Sequence, residues 1–419
     1  MKTFLSILTW SMLIICLADG QYAYGQIGSE KIGYGMPPVR LFLPDQYDGH
    51  SQNFAITQDS RGVLYIGNFA GVIEYDGLTW RTIPTENTTK VSALLKASNG
   101  RIYVGANGEF GYLRPDSTGK LGFYSLSQRV SSRFNEIISI LETNDGLYFV
   151  SKSILFFWNG KKLTEWHSPY DIVSASRIGQ SIYVFQRQKG LRLFKQGSFV
   201  PVQQRSNVPT LYDMPTLLPL SQDTSLLITS NQGLFQVTNN TIEPFASSAN
   251  AYLAANQATS GAILNDHTMV VGTVRGGIVR LTAEGQLDQI IPAASGLNDQ
   301  LINAMFADRE GNLWLALNNG IAELETPSPI TLFAEATRLT GEVMDICRVK
   351  GVMYMATING LFRIENSVVR PVDQLPISCF SIAEVNGSLF VATSKGLYQL
   401  TNGQVKALTR TYTLSLAAS

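Results

Sequence analysis

The sequence predicts an all-β fold of small antiparallel sheets stacked side by side, and three observations carry that prediction. A glycine heads a strand-like run at Gly71, Gly111, Gly190, Gly233, Gly277, Gly320, Gly360 and Gly396, at intervals of 36 to 44 residues with one double interval of 79. The surrounding residues repeat one plan: a turn with Asp or Asn and Gly, an aromatic-flanked strand, a second turn, the glycine, and another strand. No helical periodicity crosses the unit. A unit of about forty residues with three or four short strands has the size of one propeller blade, which is stable only between neighbours that cover both its faces. A leucine-rich or β-helical solenoid competes, but its repeats are shorter and need fewer hairpin turns.

The elements follow in chain order. Met1-Lys2 is a short positive start, Phe4 to Leu17 an apolar run, and "ADG" (Ala18 to Gly20) a small-residue site, so residues 1–20 read as a signal peptide. A cut as late as Gly25, after "AYG", fits as well. Two other readings compete: lipidation at Cys16, opposed by the large Ile15 before it, and an uncleaved anchor, opposed by the shortness of the apolar run. "PVRLF" (Pro38 to Phe42) then precedes the first copy, Ala55 to Trp80. Further copies are Leu94 to Leu113, Asp308 to Leu324, Ile346 to Ile364 and Ile382 to Leu400, and the double interval hides a degenerate one, Asp145 to Gly160.

"PITLF" (Pro329 to Phe333) lies 291 residues after "PVRLF", the length of seven units. Each pentapeptide reads as an outer strand donated from the start of a ring to that ring's last blade, a device that removes a free sheet edge. The expected domains are therefore a seven-bladed propeller over 38–326 and, over 327–419, two blades plus one strand (Thr411 to Ser419) of a second, incomplete propeller. Such a chain is expected to be the amino-terminal part of a larger protein.

Composition narrows the function. Charge is balanced, 32 Lys plus Arg against 32 Asp plus Glu, so no basic field would attract nucleic acid. After the signal only Cys347 and Cys379 remain, too few for a disulfide framework, and they read as two free thiols. His50, His167 and His267 match no metal-ligand spacing, so neither metal nor cofactor is expected.

The pattern D-x-x-G-x-L-W-x5-G-[IL], clearest in Asp308 to Leu324, Asp59 to Tyr75 and Gly351 to Ile364, resembles the two-component regulator propeller repeat of bacterial periplasmic sensors. The resemblance runs from about Pro38 to the end of the chain and is weak in the third to fifth copies. It implies ligand sensing for signal transduction, with a downstream membrane helix and a histidine kinase, cyclase or DNA-binding output; it leaves homodimerisation open.

Binding residues are expected on the second turns: Asn68, Phe69, Asn107, Glu109, Phe110, Arg187, Arg275 and Asn318. Asparagine is an ordinary turn former there. Aromatic and charged side chains are not required by a turn, and beside amides they suit a small polar or carbohydrate-like ligand. The alternatives are a propeller glycosidase or lyase and a secreted adhesion or assembly scaffold. Arg61, Arg101, Arg275, Arg309 and Glu109 offer residue types for catalysis, but they form no recognisable pair of acids or arginine cluster.

Overall fold

The computed structural model describes residues 35–204, 215–238, 241–293, 297, 301–333, 339–365 and 368–417. The expected signal segment lies outside these residues. Within them the chain is all-β, a series of nine small antiparallel sheets. The first shows the plan: Asn53–Gln58, Leu64–Asn68, Gly71–Tyr75 and Trp80–Ile83, adjacent in space in the order of the chain. Second strands such as Leu64–Asn68, Ile102–Ala106 and Leu313–Leu317 are buried at every position, because each sheet is covered on both faces. The fifth sheet differs. It gains a short parallel strand, Gln203–Gln204, beside its Thr241–Pro244 edge.

The tight turn between the first two strands is held by one carboxylate. Asp308 is 4% exposed; its Oδ1 accepts the Asn312 N–H at 2.7 Å and its Oδ2 accepts the Trp314 indole N–H at 2.9 Å. Gly311 closes the turn at φ +94°, donating its N–H to the Asp308 carbonyl at 3.1 Å. Asp59 does the same for Arg61, Val63 and the Tyr65 hydroxyl, so Tyr65 stands where Trp314 stands. The aspartate of the repeat is therefore a turn lock. Arg61 and Arg309, candidates for catalysis by residue type, pair with Asp59 and Glu310 at these turns. Burial works to raise the Asp59 carboxyl, but the hydrogen bonds from Arg61 and Val63 outweigh it and leave it below the usual range.

The glycine that heads the third strand has its own cause. At Gly71 (φ +136°) a Cβ would stand 2.5 Å from the carbonyl oxygen of Ile83, the last residue of the fourth strand. At Gly320 (φ +111°) the blocking atom is the carbonyl oxygen of Phe42, at 2.7 Å. Phe42 thus occupies in the seventh sheet the place that Ile83 holds in the first. The pairing agrees: Val39–Phe42 runs antiparallel along Gly320–Leu324, from Val39 opposite Leu324 to Phe42 opposite Ile321.

First strands touch from sheet to sheet, first to second and onward to the seventh, and Ile302–Ala307 of the seventh touches Asn53–Gln58 of the first. Side chains link this inner belt. Ser92 Oγ donates to Ile137 O (3.0 Å), Ser139 Oγ to Ala175 O (3.2 Å), Thr216 Oγ1 to Thr259 O (2.9 Å), Thr259 Oγ1 to Ile302 O (3.3 Å) and Asn303 Nδ2 to Asn53 O (2.8 Å). Between the seventh and first sheets lies an aromatic seam, with Phe42 stacked 5.8 Å from Trp314 and packed on Tyr75 and Trp80. Each fully buried side chain of this kind contributes about 1.5–3 kcal/mol.

The eighth and ninth sheets, Val343–Pro371 and Cys379–Ala407, pack on each other around Leu361, Leu375, Cys379 and Val391. Both cysteines are free, and burial pushes the Cys379 thiol up to about 12. Each sheet supplies its own fourth strand, so Pro329 to Phe333 has no vacancy to fill there; Leu332 instead makes an isolated bridge with Met36. The strand expected over Thr411 to Ser419 is corrected. Residues 411–417 form no ladder and touch the ninth sheet through Thr413 N–H to Thr393 O (3.2 Å) and Leu416 N–H to Ser381 Oγ (3.3 Å); 418 and 419 lie outside the described residues.

Candidate functional site

The turn after each second strand and the connection into each first strand lie at the same end of a sheet, because successive strands alternate in direction. A repeated backbone bond joins them. The first turn residue donates its N–H to the carbonyl of the residue just before the innermost strand: Phe69 to Gln52 (3.3 Å), Asn107 to Lys90 (3.0 Å), Arg187 to Asp171 (2.7 Å), Val274 to Gln257 (2.9 Å) and Asn318 to Leu301 (3.3 Å). Ile358 to Glu342 and Ser394 to Ser378 repeat it in the eighth and ninth sheets. These pairs form a polar collar around the end of the inner strands.

A bulge beside the collar aims a further side chain. In eight of the nine sheets the ladder slips at the second residue of the first strand, as between Asn53 and Ala55 or Val91 and Ala93. Such a bulge re-aims the extra residue. In the first sheet that residue is Phe54, whose ring lies 4.0 Å from the Lys90 ammonium. Lys90 also pairs with Glu136 at 2.5 Å, and Glu136 reaches Lys152 at 3.8 Å. In the fourth sheet Arg187 stands 3.8 Å from Asp171, both more than half exposed, and Lys189 lies over the Tyr170 ring at 4.7 Å.

Of the eight residues expected from sequence, Phe69, Asn107, Arg187 and Asn318 occupy the same collar position in four different sheets. Phe69 is 46% exposed and lies 4.8 Å from the His50 ring; Asn318 Oδ1 accepts from Gln52 Nε2 at 2.6 Å. Arg275 is exposed one residue past the collar, its N–H bonded to Asn256 O.

The other three turn inward. Asn68 is fully buried and its amide is consumed locally: Nδ2 donates to His50 O, Gln52 O and Asn53 Oδ1, while Oδ1 accepts from His50 N and Ala70 N. It caps its turn, as Ser151, Thr229, Thr273, Thr357 and Thr393 do at the same position in other sheets. Phe110 is core rather than collar, packed on Phe134, Phe149 and Phe156. Glu109 is 1% exposed; its Oε1 accepts from Thr89 Oγ1 (2.7 Å) and Asn87 N (3.3 Å), and its Oε2 has no protein partner. Glu109 fastens the connection that carries Lys90.

Gln52, Phe54, Lys90, Glu136, Lys152 and Asp171 were not singled out from sequence. The usable signal was position, since most stand at the threshold of an apolar first strand. Among the described residues no group of three or more His, Cys, Asp or Glu is placed to hold a metal.

Residues 296–319 match the family model described as the two component regulator propeller. The chain carries a two component regulator propeller repeat. The matched repeat contains the Asp308 turn lock, the buried Leu313–Leu317 strand and Asn318 of the collar. No curated protein matches the sequence. Among solved structures, the extracellular domain assigned to hybrid two component system BT3049 of B. thetaiotaomicron superposes with TM-score 0.66 at 16% identity, over 90% of this chain and 55% of that one. The extracellular domain assigned to one component system BT4673 of the same organism gives 0.54 at 20% identity, over 91% and 55%. Streptogramin B lyase gives 0.53 at 14% identity, over 69% of this chain and 97% of its own. At these identities the likeness is one of fold, a propeller. This chain spans about half the length of the two extracellular domains. Among its described residues no helix is long and apolar enough to cross a membrane.

Proposed function

We propose that this chain is the ligand-sensing, extracytoplasmic part of a bacterial signalling receptor, and that it binds its ligand without turning it over. The observation that carries the reading is the collar. In the first, second and fourth sheets its bonded pairs are Gln52 with Phe69, Lys90 with Asn107 and Asp171 with Arg187, and in the third Glu136 stands 3.8 Å from Lys152 through their side chains, a mixture of amides, charges and an aromatic ring at one end of a rigid scaffold. The propeller repeat and the likeness to extracellular domains of one and two component systems support it. In this reading residues 38–326 are a seven-bladed ring closed by Val39–Phe42, residues 327–419 belong to a second propeller, and export follows from the signal segment. The ligand is small and polar or carbohydrate-like, and an output module lies elsewhere in the receptor.

The likeness to a lyase favours a second reading, a propeller enzyme. One experiment separates them. The purified chain is incubated with a library of oligosaccharides, and both retention and product release are followed. Retention without products supports the sensor; release of a shortened or unsaturated product by the wild-type chain replaces it with the enzyme.

A further inference from the structure

The collar's charges differ in how far they are already used. Lys90 is held between the Phe54 ring and Glu136, and Lys189 lies on the Tyr170 ring. Lys152 and Arg187 are held by little: each has a carboxylate only at 3.8 Å, and their side chains are 55% and 57% exposed. Ion pairs so open and so long contribute little, so exchanging their carboxylates for a better partner costs little.

These two cations are also neighbours by construction. Both stand at the first position after a second strand, Lys152 after Gly146–Ser151 and Arg187 after Ser181–Gln186, in adjacent sheets. The Ile172 N–H donates to the Lys152 carbonyl at 2.7 Å, and the Arg187 N–H donates to the Asp171 carbonyl at 2.7 Å. Asp171 and Ile172 are consecutive, so one short stretch of backbone fixes Lys152 on one side and Arg187 on the other. Across the second to fourth sheets the collar and its turns carry Lys90, Lys152, Arg187 and Lys189 against Glu136 and Asp171, with Glu109 turned inward. The excess is cationic, in a chain that is neutral as a whole.

We propose that Lys152 and Arg187 form an anion-binding pair, and that the sensed ligand carries a carboxylate or a sulfate. This rests on the sensor reading and narrows it. The Arg187 guanidinium presents two parallel N–H donors to the planar or tetrahedral oxyanion, and Lys152 adds a point charge from the next sheet. Asp171, between them, is the group the ligand's anion displaces. Phe54 and Phe69 stand on the first sheet, with the second sheet between it and Lys152, so only a ligand extended along the collar would bring its uncharged remainder to them.

The test is isothermal titration of the chain with trigalacturonate, its methyl ester and inorganic sulfate, at low and high salt, on the wild type and on Lys152→Gln, Arg187→Gln and Asp171→Asn. The acid form should bind, the ester should not, and affinity should fall as salt rises. Either cation variant should weaken binding about tenfold or more, as loss of a charge-assisted hydrogen bond does, while Asp171→Asn should not weaken it. Sulfate binding as tightly as the saccharide would assign recognition to the anionic group alone; weaker sulfate would assign part of it to the sugar.

Failure of the acid and of sulfate to bind, or wild-type affinity in both cation variants, would overturn the proposal. Binding of the ester undiminished in both variants would remove the anion and leave the sensor standing. Cleavage of either saccharide would remove the sensor itself.

Discussion

The backbone N–H of Arg187 donates to the carbonyl oxygen of Asp171 at 2.7 Å, and that bond is one instance of a contact the chain makes in seven of its nine described sheets. It ties the turn after each second strand to the threshold of each first strand. Because the bond is between backbone atoms, it places no demand on either side chain. The scaffold can therefore hold Phe69 beside Gln52, Asn107 beside Lys90 and Arg187 beside Asp171 with one geometry. Variation at these positions comes at small cost to folding, which is why the proposed sensor would carry its ligand on the collar and not in the core.

The turn caps behind the collar obey the opposite rule, and Thr273 tests it. Thr273 is fully buried, its Oγ1 donating to Gly277 O at 2.9 Å and accepting the Gly276 N–H at 2.8 Å. Thr273→Val keeps the shape and removes both bonds; Gly277 O keeps the Thr273 backbone N–H at 3.0 Å, but the buried Gly276 N–H loses its acceptor. Urea denaturation should show a loss of about 1–3 kcal/mol. A neutral result would mean that the turn holds itself by its backbone alone.

A pH dependence should arise at the strand that closes the seventh sheet. Glu323 lies opposite Arg40 in the ladder, and burial raises its carboxyl above the ordinary 4.5, with Arg40 opposing and Asp308 and Glu325 adding to the rise. A carboxyl raised on folding holds its proton in the folded chain at a pH where the unfolded chain has lost it. Stability then falls as pH rises from about 4.5 through the raised value, and the loss is complete above it. Glu323→Gln removes the ionisation and retains Oε1 as the acceptor for Asn312 Nδ2. The variant should be more stable than the wild type at neutral pH and should lose this part of the slope below it. Denaturation midpoints across the acid range read both, and a variant less stable at neutral pH would show that the Arg40 attraction dominates.

What the sequence disclosed and what it hid have separate physical causes. The recurring glycines and the Asp308 turn were legible because each is forced locally: a positive φ, a carbonyl where a Cβ would stand, a carboxylate that must accept its own turn's N–H groups. "PVRLF" was legible as a donated strand because its distance from "PITLF" counts whole units. The collar was half legible. The turn residues Phe69, Asn107, Arg187 and Asn318 lie two to four residues ahead of those glycines, whereas their partners end connections of very different length, from 168–171 to 43–52. Burial was the hidden quantity for Asn68, Glu109 and Phe110. The turn Ala106 to Gly111 is longer than its counterparts, and the added length folds Glu109 under residues 87–89 and Phe110 into the core.

Ring closure converges on Gly320, and a single methyl group there should show how much depends on it. The Gly320 N–H donates to Ser51 O at 2.9 Å and its carbonyl accepts from Asn53 Nδ2 at 2.8 Å, so both polar groups are committed to the first sheet while the residue itself belongs to the seventh. At φ +111° an added Cβ would stand 2.7 Å from Phe42 O, at the end of the donated strand. Gly320→Ala must therefore either strain the backbone or push Phe42 away. Moving Phe42 disturbs its packing on Trp314, Tyr75 and Trp80. Backbone strain alone costs about 1–3 kcal/mol, and the disturbed seam adds to it. Gly119→Ala is the control: its φ is +85°, but nothing lies within 4 Å of the new methyl group, so it carries the strain without the collision. In urea denaturation Gly320→Ala should lose clearly more stability than Gly119→Ala. In limited proteolysis its first new cleavages should fall near residues 38–43, where the closing strand is released. Equal losses in the two variants, with no early cleavage at that strand, would mean that the ring is held shut by its inner belt and not by Val39–Phe42.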